Sequence, residues 1–130
     1  MTGIEVVHTT EMRKGDQTSG IIRDKAFETQ NLLFARSRIK GGNTSAWHHH
    51  GRREVYAYVI SGRLHFDFVA GKVGSIGVKA GDFFHIPIGL VHRDINPDPQ
   101  NEAVIINLFL GEGVTTVNIS GPGEELDSRS

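Results

Sequence analysis

A closed or double-sheet all-β domain is the fold that this sequence predicts. Three observations lead there. Sixteen glycines in 130 residues exceed the usual ~7 %, and they punctuate short runs of β-branched and aromatic residues. Leu64, Phe66 and Phe68 alternate with His65 and Asp67, which is the period of a half-buried strand. No convincing long helical repeat interrupts these runs, and chains of many short strands hide their edges by closing or stacking their sheets.

Taken in order, the candidate strands are 31–40, 46–50, 55–60, 63–70, 73–78, 83–87, 91–95 and 104–110. The stretch 24–36 also reads as a helix capped by Asp24, but its β-rich second half and the run to Gly41-Gly42 favour a strand. Ser61-Gly62 is a hairpin signal between two strands. Ala70-Gly71-Lys72 marks a second turn, and Pro97-Asp98-Pro99 forces a loop. Leu64, Phe66 and Phe68 are expected in the core, with His65 solvated on the outer face. Residues 1–20 read as an N-terminal arm, 21–120 as the barrel, and 121–130 as a disordered acidic tail carrying Glu124, Glu125 and Asp127.

Composition narrows the function. A formal net charge of −1 offers no basic face to nucleic acid or to an anionic membrane. No apolar run approaches the roughly 18 residues of a membrane span. The polar N-terminus lacks the basic start and apolar stretch of a secretory signal, so a cytoplasmic location is expected. Cysteine is absent, which removes thiol catalysis and disulfides together. Seven histidines are the outlier, three of them consecutive between Trp47 and Gly51.

Those histidines sit in a patterned context. In a strand, side chains two apart share a face, so His48 and His50 point one way and His49 the other, with Trp47. The bend Gly51-Arg52-Arg53 lets Glu54, at the start of the next strand, return to the same side. His92 is expected from a strand across the barrel. Three imidazoles and one carboxylate suit a first-row divalent ion with open positions. Such a site carries a net charge of about +1 and attracts an anionic or chelating substrate. Tyr56 and Tyr58 share the parity of Glu54 and are candidate pocket residues. Asp94 and Asn96 share that of His92 and are candidates to hydrogen-bond a ligand imidazole. His85 reaches the cavity or the surface depending on one residue of register. Arg36, Arg38, Arg52 and Arg53 are candidate carboxylate clamps at the mouth.

Two motifs make the chain resemble a small single-domain member of the cupin superfamily. The first comprises Gly42, His48, His50, Glu54 and Gly62; the second comprises Gly81, Pro87, Gly89, His92 and Asn96. One spacing departs, because seven residues rather than six separate Glu54 from Gly62, which reads as a bulge or longer turn. The resemblance implies a small jelly-roll, or double-stranded β-helix, barrel. It also implies one divalent transition metal (Fe, Mn, Zn, Ni or Cu) held by His48, His50, Glu54 and His92. Glu54 is then both ligand and candidate proton acceptor. The expected function is a metal-dependent enzyme on a small organic substrate, with dioxygenation ahead of isomerisation or decarboxylation. A non-enzymatic barrel that binds a small ligand is the alternative. A homodimer is expected, through the N-terminal arm and an outward sheet face bearing Trp47 and Val55; neither nucleic acid nor membrane is an expected partner.

Overall fold

The computed structural model describes residues 3–122. After a 3₁₀ turn at Thr9–Glu11 come eleven strands among the described residues. They are β1 (Arg13–Lys14), β2 (Ile21–Glu28), β3 (Leu32–Ile39), β4 (His48–His49), β5 (Glu54–Ser61) and β6 (Arg63–Ala70). There follow β7 (Lys72–Lys79), β8 (Phe83–Ile86), β9 (Val91–Ile95), β10 (Ala103–Leu110) and β11 (Val117–Asn118). They form a six-stranded sheet, β1-β2-β3-β10-β5-β8, and a five-stranded sheet, β11-β4-β9-β6-β7. Every pairing is antiparallel. The architecture is the cupin-type jelly roll that the sequence predicts.

Alternation builds the interior. On β3, Leu33, Ala35, Ser37 and Ile39 are buried; on β10, Ala103, Ile105, Asn107 and Phe109 are buried. Two apolar clusters result. One gathers Ile21, Ile39, Val59, Leu64, Phe66, Ala103 and Ile105, and the other Leu33, Ala35, Val55, Ile86 and Phe109. Polar side chains fill the space between them.

Three expectations change. The helix-or-strand stretch 24–36 is a hairpin of β2 and β3, with a register shift between Lys25 and Phe27. Asp24 caps nothing; its carboxylate takes Arg36 and Arg38 at 3.2 and 3.3 Å. Ser61-Gly62 is no hairpin, because β5 and β6 belong to different sheets. Gly62 instead passes the chain from one sheet to the other. Phe68 is only half-buried, its ring lying over Gly74 of β7, where a Cβ would sit 2.7 Å away.

His65 is exposed, and Gly71 turns β6 into β7 as expected. The first twenty residues are less separate than an arm: β1 pairs with β2 at the sheet edge. Most of the acidic tail, from residue 123 on, lies outside the described residues. Among the described residues no helix is long and apolar enough to cross a membrane.

Gly62 and Gly71 separate conformation from crowding. Both have positive φ (80° and 83°), which an L-residue adopts only with strain. A Cβ on Gly62 would meet Ala103 Cα at 2.9 Å, whereas one on Gly71 would meet nothing within 4 Å. Gly62→Ala is expected to cost about 2–4 kcal/mol and Gly71→Ala about 1 kcal/mol. Urea denaturation checks both, and equal losses would contradict the crowding argument.

Candidate metal centre

The local sequence turns three imidazoles into one space. His48 is on β4, and its direct register partner on the neighbouring strand β9 is His92. The two are thus adjacent in one sheet, not across the barrel, with ring centroids 4.3 Å apart. His50 follows just past β4, 5.4 Å from His48 and 5.0 Å from His92. All three are buried, at 0 %, 4 % and 2 % exposure, and their ligand nitrogens lie within 4.8 Å of one another.

Backbone carbonyls fix their tautomers. His48 Nδ1 donates to Ala46 O at 2.8 Å, His50 Nδ1 to Thr115 O at 2.8 Å, and His92 Nδ1 to Leu90 O at 2.9 Å. A carbonyl can only accept, so the proton of each neutral ring resides on Nδ1 and the Nε2 lone pair is left for the cavity. Desolvation keeps the rings neutral. It lowers the His48 pKa to about 4 despite the opposing field of Asp94, and lowers His50 well below and His92 below the ordinary value. A neutral imidazole is the form a metal requires.

Asp94 shares the site. It is 6 % exposed, and its Oδ1 lies 3.6 Å from His48 Nε2 and 3.7 Å from His92 Nε2. Among the described residues neither His48 Nε2 nor Asp94 Oδ1 has a hydrogen-bond partner. Such atoms in native interiors are rare and costly. Nitrogen lone pairs facing a carboxyl oxygen, all buried, fit a divalent cation held between them. The cavity they line is about 10 Å³, room for about one water or one ion. Phe66, Phe84, Ile86 and Phe109 wall it, with Arg23, Ser37 and Asn107 as further polar groups.

Several expected site residues lie elsewhere. Glu54 does not join the triad: it sits on the outer face of β5, where Oε1 meets His85 Nε2 at 3.1 Å, both side chains 41 % exposed. The register explains this, because inward positions on β5 are Val55, Ala57 and Val59. Tyr56 and Tyr58 therefore face outward as well, at 43 % and 38 % exposure. His85 faces outward too, stacked on Tyr56 at 4.6 Å, and Phe84 takes the inward position. Val55 is fully buried, so it cannot belong to an outer face. Trp47 does lie outside, beneath Arg93 at 4.7 Å. Asn96 is buried but ties backbone: Nδ2 donates to Ile39 O and Asn101 O, and Oδ1 accepts from Asp98 N. Of the arginines, Arg36 and Arg38 hold Asp24, Arg53 donates to Gly113 O, and Arg52 is exposed.

The cation that does line the cavity is Arg23 on β2, which sequence reasoning missed. It is 6 % exposed, and Nη1 donates to Thr18 Oγ1 at 2.8 Å and Asp16 O at 3.2 Å. Its alternation with Ile21, both buried, was the available signal. Ser45 was missed as well. Its N donates to Asp94 O, and its Oγ accepts from Asp94 N, both at 2.9 Å, which fixes Asp94 in place.

The match to a family model, the cupin domain, spans residues 35–109. The chain belongs to the cupin family. Among curated relatives, germin-like protein 3-7 of Oryza sativa subsp. japonica is 36 % identical over 74 residues, 55 % of this chain and 32 % of that protein. Germin-like protein subfamily 2 member 4 of Arabidopsis thaliana is 31 % identical over 83 residues, 62 % of this chain and 38 % of that one. The chain thus spans about a third of the length of these relatives. Among solved structures, Bacillus subtilis oxalate decarboxylase, a protein with Mn(II) centres, aligns with a TM-score of 0.70 at 18 % identity, covering 82 % of this chain and 30 % of that one. Peruvianin-I, a cysteine peptidase from Thevetia peruviana latex, aligns at 0.62 and 17 % identity, covering 69 % and 56 %. At these identities the structural likeness concerns the fold.

Acid should undo the metal-free barrel. Imidazoles whose folded pKa lies below the ~6.5 of an unfolded chain take up protons on unfolding. Their contribution to stability is therefore fully present above about pH 6.5 and is lost as pH falls toward the His48 value of about 4. Melting temperatures of metal-free protein between pH 7.5 and 4 are expected to fall across that window. A flat profile would contradict neutral burial of the triad.

Proposed function

We propose that this chain is a metal-dependent enzyme acting on a small, anionic, chelating organic molecule. The observation that carries the reading is the convergence of three Nε2 atoms on a cavity whose wall also contains the guanidinium of Arg23. A divalent ion held there supplies Lewis acidity toward developing negative charge and, if redox-active, access to oxygen chemistry.

The protein's own side chains supply the rest. Arg23 and Ile21 also line an outer groove of about 1110 Å³, so the guanidinium stands between groove and cavity. A carboxylate entering from the groove meets a fork of donors matched to its geometry. The aromatic walls exclude water and strengthen that attraction. Oxygen-dependent oxidation is the reading we favour, with decarboxylation or isomerisation as runner-up. The name of the solved neighbour, oxalate decarboxylase, supports a small carboxylate as the substrate class.

A second reading has one observation in its favour. A cavity of about 10 Å³ accommodates an ion without a substrate, as a barrel that binds or senses would require. The cysteine peptidase activity of Peruvianin-I does not carry over, since this chain has no cysteine.

A homodimer belongs to the same proposal, through the outer face of the six-stranded sheet. That face exposes Ile22, Phe34, Tyr56, Tyr58, Ile60 and Phe83. Strands ~4.8 Å apart and ~27 Å long make it roughly 600 Å², comparable with the ~800 Å² each partner contributes to a standard interface. Light scattering at micromolar concentration tests this, and a monomer would reject it.

Oxygen uptake and carbon dioxide release, measured with metal-loaded protein against short dicarboxylates, hydroxy-acids, enolisable ketones and catechols, separate these reactions. Turnover is expected with a short carboxylate, and Arg23→Gln should raise its KM about 10- to 100-fold, equivalent to the ~1.5–3 kcal/mol of a charge-assisted hydrogen bond. No turnover across the panel, with metal bound, would favour the binding barrel.

A further inference from the structure

We infer that Asp94 supplies the carboxylate that the sequence pattern assigns to Glu54, so that His48, His50, His92 and Asp94 are the four protein donors of the centre. The inference rests on the metal-binding reading of the triad and adds to it the fourth donor.

The argument begins with register. β5 pairs with β8 and β10 so that Val55 faces Ile86 and Phe109, while Glu54 pairs with Leu110 at the exposed end of β10. A spacing of six residues before Gly62 falls on Val55, not Glu54. The extra residue is real: pairing with β10 jumps from Val59 to Ser61, leaving Ile60 as a bulge. That bulge lies beyond Val59, so it cannot rotate Glu54 inward. Rotating Glu54 inward would expel Val55 from a fully buried position and break the Glu54–His85 contact.

On β9 the situation is reversed. His92 and Asp94 share the inward face, and the double hydrogen bond to Ser45 holds Asp94 backbone in place. Donors bound to one ion at ~2.1 Å lie ~3.0–3.6 Å apart at ordinary coordination angles. Asp94 Oδ1 stands 3.6 and 3.7 Å from the His48 and His92 nitrogens, within a few tenths of an ångström of that range. It lies outside the 4.8 Å cluster that His50 completes, so its carboxylate must shift toward His50 for all four to share one ion. Its Oδ1 is also a buried atom without a hydrogen-bond partner among the described residues. The field of Asp94 does oppose the desolvation of buried Arg23, but the Arg23 guanidinium spends its hydrogen bonds on Thr18 Oγ1 and Asp16 O, so Asp94 Oδ1 remains free to face the imidazoles.

Cobalt(II) titration followed by visible absorption tests the assignment on the whole chain. Wild type and Glu54→Gln should bind about one equivalent with the same affinity and spectrum. Asp94→Asn should bind about 100-fold more weakly or worse, with a shifted ligand-field band. The melting transition of the metal-free variant shows that it folds, and Asp94→Ser replaces it if the asparagine variant does not. Three results would overturn the assignment: Asp94→Asn within 10-fold of wild type, a loss with an unchanged spectrum, or a loss in Glu54→Gln instead. Failure of wild type to bind cobalt would instead strike the metal reading itself.

Discussion

Everything distinctive in this barrel depends on three buried imidazoles whose inner nitrogens are spoken for by backbone. A histidine buried at random would leave one ring nitrogen without a partner and the other free to choose its tautomer. Here Ala46, Leu90 and Thr115 carbonyls accept from each Nδ1, so the lone pairs on Nε2 can point only into the cavity. An unsatisfied buried polar group costs about 1–3 kcal/mol, and this interior sets two of them, His48 Nε2 and Asp94 Oδ1, against each other. Apolar clusters on either side provide the compensating burial. The polar layer lies between two apolar clusters that Phe84 bridges, which is the arrangement expected where stability is given up for a site.

The same constraint draws both ends of the described chain into the site. His50 depends on Thr115, whose Oγ1 donates to Asp16 Oδ2 at 2.6 Å. Asn118, on β11, accepts from Thr18 Oγ1 and donates to Gln17 O. Thr18 in turn accepts from Arg23. The segment before β2 and the segment after β10 therefore close over the centre together, and neither is a detachable appendage. Their contacts are mostly single hydrogen bonds near the surface, weaker than the strand ladders beneath. Local opening of the barrel would begin there.

Sequence patterning revealed much of this, and its failure is equally physical. The pair His48 and His50 was legible because two-residue spacing survives in any extended segment, and strands β6 to β10 were legible from alternation and glycine. Glu54 was misplaced because a period of two makes every assignment hostage to a single residue: one step of register moves a side chain to the opposite face. Tyr56 and Tyr58 inherited that error from Glu54. His85 went unresolved for the same reason. Arg23 was harder to read for another cause, its alternation with Ile21 being the one faint signal. Its strand, Ile21–Glu28, mixes charges with apolar residues because its inner face is partly polar, so the usual contrast between faces is missing. Sheet membership at Gly62 was also beyond reach, since a turn signal tells where a chain bends and not which neighbour it joins.

A carboxylate on β9 rather than β5 changes what such a site can do. An aspartate two residues from His92 belongs to the same rigid strand and is pinned by Ser45, so it has little freedom to leave the centre and return. A glutamate at the start of β5, beside the bend at Gly51, would have had more. With Asp94 as donor, the centre of a divalent ion, one carboxylate and the nearby Arg23 guanidinium sums to about +2, with β2 presenting that guanidinium to the groove. The positive balance in an enclosed, low-dielectric space favours a small anion strongly, while the walls of Phe66, Phe84, Ile86 and Phe109 penalise a bulky one. On the proposed reading, a preference for small carboxylates would follow from charge and volume together, without a dedicated pocket for each substrate atom.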